Sequence, residues 1–289
     1  TYGSPLYRDN VPAKDELLVA KLRRAGGIML GKTATPEFGA GGNTTVNEVH
    51  GYTRNAFDPD RACGGSSGGS GVALACGMMP LCTGSDSGGS LRKPATFSGV
   101  SAIRPTTGLV PSDKRGVGFT NFSVQGPMAR TADDCALMLS IMAGPHPNDP
   151  HSHGLPKDDY VGAARGMGDL SGVKIGWLSH LGNELIDPEI LEACIRRRDA
   201  LADRGAEIVP FDEPFENTEP YWLVITQSLW VARFEDKLAE FGDRMTPTLL
   251  RGIEEGRTYS AVELQRAITF RTQLYRRVQS WFEGVDFLM

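Results

Sequence analysis

Glycine is unevenly distributed along this chain, and its one dense cluster constrains the fold more than any other sequence feature. Nine of the 35 glycines fall within the 27 residues from 64 to 90. Two glycine- and serine-rich stretches, residues 64–71 and 84–90, flank the compact apolar segment 72–82. A flexible linker would not alternate with a segment that must be buried. The cluster therefore predicts a folded backbone whose N–H groups can approach a bound anion or oxyanion closely.

Helix and strand signals alternate along the rest of the chain. Apolar spacing and capping residues predict helices at residues 15–25, 71–76, 131–144, 187–205 and 260–284. Short apolar runs predict strands at residues 28–30, 79–83, 173–178, 207–211 and 285–289. This alternation is typical of an α/β protein with helices packed on the faces of a sheet.

Charge, hydropathy and cysteine usage exclude several classes of protein. The formal net charge is −5, which predicts no nucleic-acid partner and no binding to an anionic membrane. The sequence contains no apolar run of the roughly eighteen residues that a membrane span needs. The five cysteines are scattered without a Cys-x-x-Cys pair, which is typical of a reduced protein without a disulfide framework or zinc site. We therefore expect a cytoplasmic location.

Two short motifs favour other functions only weakly. Residues 26–33 fit the phosphate-loop pattern G-x-x-x-x-G-K-[ST], but the apolar residues 28–30 suit a buried strand better than a phosphate cradle. Residues 64–68 fit the G-x-S-x-G elbow of α/β-hydrolases, which requires a preceding strand. The polar segment 57–61 is a poor candidate for that strand, and no histidine has a distinctive setting, so the elbow stays a minority interpretation.

The glycine- and serine-rich stretches carry a resemblance to a known family. Residues 64–71, followed by 84–94, resemble the signature of the amidase signature family. The similarity continues at residues 31–39, 55–61, 99–111 and 126–131. It implies the amidase signature fold, a mixed, mainly parallel β-sheet flanked by helices on both faces, as a single domain over residues 1–289. It also implies a Ser–cis-Ser–Lys amide hydrolase that needs no cofactor and no metal.

The resemblance assigns roles to individual residues. Ser90 matches the nucleophile that becomes acylated, and Ser66 matches a bridging serine preceded by a cis peptide bond to Gly65. A serine hydroxyl needs a base to become a good nucleophile, and a lysine serves only when it is neutral. The family's oxyanion hole corresponds to the backbone N–H groups of Ser87, Gly88 and Gly89, together with that of Ser90. Supporting roles fall to Ser67, Asp86 and Arg92.

The family's lysine is the part of the pattern that this chain lacks. It lies farther upstream of Ser66 than the 65 residues present here. Lys14 and Lys32 match other parts of the family pattern, and neither is assigned as the base. We therefore expect a piece of a longer amidase, without its catalytic-lysine segment and its C-terminal part, that is inactive unless another segment supplies the lysine.

The substrate and the assembly stay open at this point. A small-molecule amide is the expected partner, and a homodimer is left open. The glutaminase subunit of a tRNA-dependent amidotransferase shares the signature, and an inactive fragment is a third alternative. The aromatic residues between 221 and 234 fit either an acyl pocket or a core helix.

Overall fold

The computed structural model describes residues 1–114, 118–166, 168–183, 185–211 and 213–289. They form two compact units, one of residues 1–165 with 236–251 and the other of residues 166–235 with 252–289. The single domain over residues 1–289 stays a prediction.

The described elements largely alternate between helix and strand as the sequence predicts, although the last four helices follow one another without a described strand between them. The helices are α1 (Leu17–Arg24), α2 (Gly68–Ala75), α3 (Arg92–Ser98), α4 (Ala132–Met142), α5 (Tyr160–Gly166), α6 (Pro188–Ala202), α7 (Glu219–Phe234), α8 (Leu238–Phe241), α9 (Pro247–Gly256) and α10 (Ala261–Trp281). The strands are β1 (Thr45–Asn47), β2 (Gly51–Thr53), β3 (Leu81–Asp86), β4 (Ser101–Ala102), β5 (Val124–Ala129), β6 (Lys174–Trp177), β7 (Glu207–Pro210) and β8 (Phe287–Leu288). Short 3₁₀ turns lie at Pro5–Tyr7, Glu37–Gly39, Glu235–Lys237 and Gly242–Arg244.

Capping side chains explain where several helices begin. The hydroxyl of Thr131 accepts a hydrogen bond from the N–H of Asp134 at the start of α4. Ser260 and Glu263 form a full capping box before α10. Such caps satisfy N–H groups that have no partner within the helix. These starts were predictable from the sequence, and the structure confirms them.

One predicted strand is absent. Residues 28–30 pair with no other strand among the described residues, and Ile28 and Leu30 are 83% and 70% exposed. An apolar run becomes a strand only where a neighbouring strand accepts its hydrogen bonds. The prediction of a buried strand at residues 28–30 is therefore wrong for this structure.

The first unit holds a three-stranded sheet in the order β3–β5–β4. β3 and β4 both run antiparallel to β5, so they are parallel to each other on either side of it. The mixed α/β class is confirmed, but among the described strands parallel pairing occurs only in the second unit. The mainly parallel sheet expected from the resemblance therefore requires correction here, because β5 lies between the two strands that α3 connects.

Helices cover both faces of this sheet. Cys82 of β3 packs with Leu74 of α2 and Ala95 of α3 in one buried cluster. Its neighbour Leu81 packs against a second cluster, which includes Leu18 of α1 and residues of α4. Successive strand residues point to opposite faces. The predicted covering of both faces is thus confirmed for this unit.

The second unit holds a parallel sheet in the order β7–β6–β8. The buried core of this unit includes Leu170, Ile175 and Ala206. In α7, Phe234 is 1% exposed, and a side chain at Gly252 would collide with Trp230. These contacts favour the core-helix interpretation for Trp230 and Phe234, whereas Tyr221 is 37% exposed. No described helix combines the length and apolar character that crossing a membrane requires.

Candidate active site

The first glycine- and serine-rich stretch forms the start of α2. The peptide bond between Gly65 and Ser66 is cis, as the resemblance predicts. Ser66 is only 7% exposed. The N–H of Gly69 donates to the carbonyl of Ala34 at 3.2 Å, and a Cβ at Gly69 would lie 2.5 Å from Ala34 backbone atoms. Glycine at position 69 therefore lets the segment 33–35 lie directly against this helix.

The two serine segments meet through the backbone. The N–H of Ser67 donates a hydrogen bond to the carbonyl of Ser90 at 3.2 Å. The peptide that joins Ser66 to Ser67 thus lies beside Ser90, although 24 positions separate Ser66 from Ser90 in the sequence. The structure therefore places the main chain next to the expected bridging serine against the main chain of the expected nucleophile.

Asp86 anchors the loop that carries Ser90. Its fully buried carboxylate accepts hydrogen bonds from the N–H groups of Gly89 at 2.8 Å and Leu91 at 3.2 Å. The Arg92 guanidinium donates two further hydrogen bonds of 3.0 Å, and Arg104 Nε lies 3.5 Å away. Burial acts to raise the pKa of the Asp86 carboxyl, but the hydrogen bonds and the charge of Arg92 outweigh it, so the pKa lies below its ordinary value.

One N–H group of the expected oxyanion hole already has a partner in this structure. The N–H of Gly89 points to Asp86 and is already engaged, because the turn after β3 folds back onto that carboxylate. Gly89 has a φ of +106°, which an L side chain rarely adopts. This backbone geometry shapes the loop. The other N–H groups that are expected to form the oxyanion hole belong to Ser87, Gly88 and Ser90, and their role stays a prediction.

Ser67 fastens the start of α2 to β3. Its hydroxyl accepts from the N–H of Ser85 at 3.1 Å and lies 3.3 Å from the Ser85 carbonyl, to which it donates. The supporting role that the resemblance implies for Ser67 stays a prediction. In this structure the Ser67 hydroxyl bonds to the backbone of β3.

A polar cavity of about 210 Å³ lies beside these serines. It is bordered by Ser66, Ser67 and Ser85, and also by Glu16 and Gln125. Gln125 Nε2 donates to Glu16 Oε1 at 2.6 Å. Sequence reasoning missed both of these residues. Gln125 stands directly before the Gly-Pro of a recognised family segment, but nothing in the sequence links it to Glu16, 109 positions away.

None of the residues that border this cavity, all within the described ranges, is a lysine. Lys14 and Lys32 are exposed. Lys21 Nζ donates to the carbonyls of residues 142, 143 and 144 at the end of α4. Burial and the nearby charges of Lys157 and Arg24 lower the pKa of Lys21. Its hydrogen bonds give it a structural role as a helix C-cap.

The geometry of the described residues does not support an α/β-hydrolase elbow or a metal site. The segment 57–61 forms bends and turns, so no strand leads into Ser66 as an α/β-hydrolase elbow requires. No histidine borders the cavity among its described residues. No cluster of three or more metal-ligating side chains occurs in the part of the chain that the structure describes.

Comparison with known proteins agrees with this architecture. The model of the Amidase family matches residues 1–289, and the chain belongs to this family. An acylamidase from Rhodococcus erythropolis is 35% identical over 299 aligned residues, which cover 100% of this chain and 60% of that protein. A glutamyl-tRNA(Gln) amidotransferase subunit from Solidesulfovibrio magneticus is 35% identical, covering 96% of this chain and 56% of that protein.

Solved structures of the same family share the fold. A bacterial aryl acylamidase of the amidase signature family superposes with a TM-score of 0.87 at 25% identity, covering 96% of this chain and 59% of that one. A 6-aminohexanoate cyclic dimer hydrolase with bound substrate gives 0.86 at 25% identity, covering 99% and 62%. The chain thus spans about three-fifths of the length of the relatives it matches.

Proposed function

We propose that this chain carries the serine machinery of an amide hydrolase, with Ser90 as nucleophile and Ser66 as proton relay. The hydrogen bond between Ser67 and Ser90 is the observation that carries the proposal, because it joins the two serine segments. Membership of the Amidase family supports the reaction class.

In the proposed reaction, Ser90 Oγ attacks the amide carbonyl carbon, and the C–N bond then breaks to leave an ester on Ser90. The hydroxyl proton passes through Ser66 to the base and from there to the departing amine. Water then hydrolyses the ester by the same proton path. The proposed base is the lysine that the family resemblance implies. No lysine is among the described residues that border the cavity next to Ser66.

The N–H groups of Ser87, Gly88 and Ser90 are the proposed donors to the developing oxyanion. One such donor is typically worth about 3 kcal/mol of barrier. Asp86 and Arg92 support this loop and take no part in the bond-breaking steps. The homodimer and the cytoplasmic location stay predictions from the sequence.

The glutaminase component of a tRNA-dependent amidotransferase is the second candidate. Its support is that several relatives at 35–38% identity are named as glutamyl-tRNA(Gln) amidotransferase subunits. The acylamidase is aligned over all of this chain, and the net charge of −5 offers no tRNA-binding footprint. We therefore propose a free-standing hydrolase of a small-molecule amide.

Replacing Ser90 by Ala in the complete polypeptide tests this function. Hydrolysis of a simple aryl amide should fall to background, while Ser123→Ala, at an exposed serine near β5, should keep full activity. Activity retained by Ser90→Ala would reject the nucleophile assignment. Glutamine hydrolysis that appears only with partner subunits present would favour the amidotransferase.

A further inference from the structure

A buried carboxylate, that of Glu37, joins three segments of the first unit. The Glu37 side chain is 1% exposed and belongs to the short 3₁₀ turn Glu37–Gly39. Its Oε1 accepts a hydrogen bond from the Ser4 hydroxyl at 2.6 Å, and its Oε2 accepts one from the N–H of Thr246 at 2.7 Å. Burying a carboxylate costs free energy that such hydrogen bonds must offset. The carboxylate therefore ties the turn to the segment around Ser4 and to the residue directly before α9.

The backbone of this turn needs an anchor of this kind. Phe38 and Gly39 have φ angles of +48° and +79°. A bulky residue such as phenylalanine rarely adopts a positive φ, so the surrounding contacts must hold it there. The N–H of Phe38 donates to the carbonyl of Tyr2 at 2.8 Å, which is a second link between the turn and the segment that carries Ser4. Adjacent positions, Glu37 and Phe38, thus fix the turn.

Gly39, the last residue of this turn, lies against the proposed proton relay. The nearest neighbours of a Cβ built on Gly39 would be Ser66 Oγ at 3.5 Å and Ser66 Cβ at 3.8 Å. The side of Gly39 that would carry a side chain therefore faces the side chain of Ser66. Because close-packed atoms restrict the rotamers of their neighbours, the position of the turn sets the space in which the Ser66 hydroxyl can rotate.

We propose that Glu37 is a positioning residue, which holds the turn 37–40 beside Ser66 and so limits the Ser66 hydroxyl to the orientations that relay the proton from Ser90. This inference rests on the proposed function. Glu37 itself takes no part in the proton transfer, because its two carboxylate oxygens are engaged by Ser4 and Thr246. Its effect on the reaction passes through the turn and through Gly39.

Two replacements of Glu37 test whether its hydrogen bonds matter for turnover. Glu37→Gln can keep both bonds, because an amide oxygen accepts from the Thr246 N–H while the amide nitrogen donates to the Ser4 hydroxyl oxygen. In the complete polypeptide, its kcat should stay within about threefold of the wild-type value. Glu37→Leu removes both bonds and should lower kcat about tenfold or more. A kcat for Glu37→Leu equal to that of Glu37→Gln would overturn the inference.

A double-mutant cycle tests whether Glu37 acts through the contact with Ser66. Gly39→Ala sets a methyl group against the Ser66 hydroxyl and should lower kcat about tenfold when Glu37 is present. In Glu37→Leu the turn is no longer held, so the same methyl group should lower kcat less than about threefold. Gly77→Ala is the matched control, because Gly77 has a similar φ of +69° and a Cβ there meets nothing within 4 Å. It should leave kcat unchanged in both backgrounds.

Thermal unfolding separates positioning from folding, and kcat is expressed per folded molecule. If Glu37→Leu does not fold, Ser4→Ala, which removes one of the two hydrogen bonds, takes its place in the cycle. Equal effects of Gly39→Ala in the two backgrounds would overturn the inference, because a merely structural role of Glu37 predicts independent losses. The proposed function would survive that result if Ser90→Ala is inactive, whereas an active Ser90→Ala would reject the function itself.

Discussion

The backbone N–H of Ser67 donates a hydrogen bond of 3.2 Å to the carbonyl oxygen of Ser90. This bond ties the start of α2 to the loop after β3. Asp86 holds that loop from the other side through the N–H groups of Gly89 and Leu91. The position of each serine therefore depends on main-chain contacts, and side-chain substitutions can test the chemistry and the scaffold separately.

Ser66 and Ser67 should respond differently to replacement by alanine. Ser66→Ala removes the proposed proton relay, so amide hydrolysis in the complete polypeptide should fall by at least about 10²-fold. Ser67→Ala removes one hydroxyl that pairs with the Ser85 backbone, which should cost roughly 1–2 kcal/mol of stability and leave substantial activity. Steady-state kinetics and urea unfolding measure both effects. The opposite ranking of activities would contradict the roles assigned to these serines.

Asp86→Asn should destabilise the protein in a pH-dependent way. Near pH 7 the free energy of unfolding should fall by on the order of 3 kcal/mol, because the substitution removes a buried carboxylate that has two arginine partners. The folded-state pKa of Asp86 lies below its ordinary value of 3.8. The ionised Asp86 carboxylate therefore contributes its full stabilisation above pH 3.8, and this stabilisation is lost as the pH falls through the folded-state pKa.

Urea unfolding between pH 3 and pH 7 measures the Asp86 effect. The difference in the free energy of unfolding between wild type and Asp86→Asn should be constant near pH 7 and should shrink as the pH falls toward 3. Glu192→Gln is the control, since its pair with Arg196 is 71% and 61% exposed and should contribute about 0.5 kcal/mol or less. A stability difference that grows as the pH falls would contradict this role of the Asp86 carboxylate.

Gly69→Ala should be more damaging than a typical glycine replacement. The new Cβ would lie 2.5 Å from backbone atoms of Ala34, so α2 and the segment 33–35 would have to separate. We expect a loss of about 1–3 kcal/mol in the free energy of unfolding, together with reduced activity. Gly31→Ala is the matched control, because a Cβ there meets nothing within 4 Å. Equal stabilities of the two variants would show that this close approach is absent.

Local signals in the sequence predicted the helix starts and the two segments that form the candidate site. Thr131 and Ser260 are followed at the third position by acidic residues, and both cap helices in the structure. The glycine and serine cluster likewise marked the segments that meet between Ser67 and Ser90. Such features depend on a few adjacent residues, which is why a single sequence reveals them.

Long-range pairings could not be predicted in the same way. The insertion of β5 between β3 and β4 depends on strand order, which the alternation of helix and strand does not determine. The contact between Glu16 and Gln125 joins residues 109 positions apart, and neither residue is unusual in its local sequence. The hydrogen bond that engages the Gly89 N–H likewise follows from how the loop folds back onto Asp86.

Trapping the acyl-enzyme tests the central claim most directly. The complete polypeptide is quenched in acid during turnover of an activated aryl amide or ester, digested, and analysed by peptide mass spectrometry. The account predicts that the acyl group is attached to Ser90, and that the adduct disappears in Ser90→Ala but not in Ser123→Ala. An acyl group on any other residue, or turnover by Ser90→Ala at the wild-type rate, would contradict it.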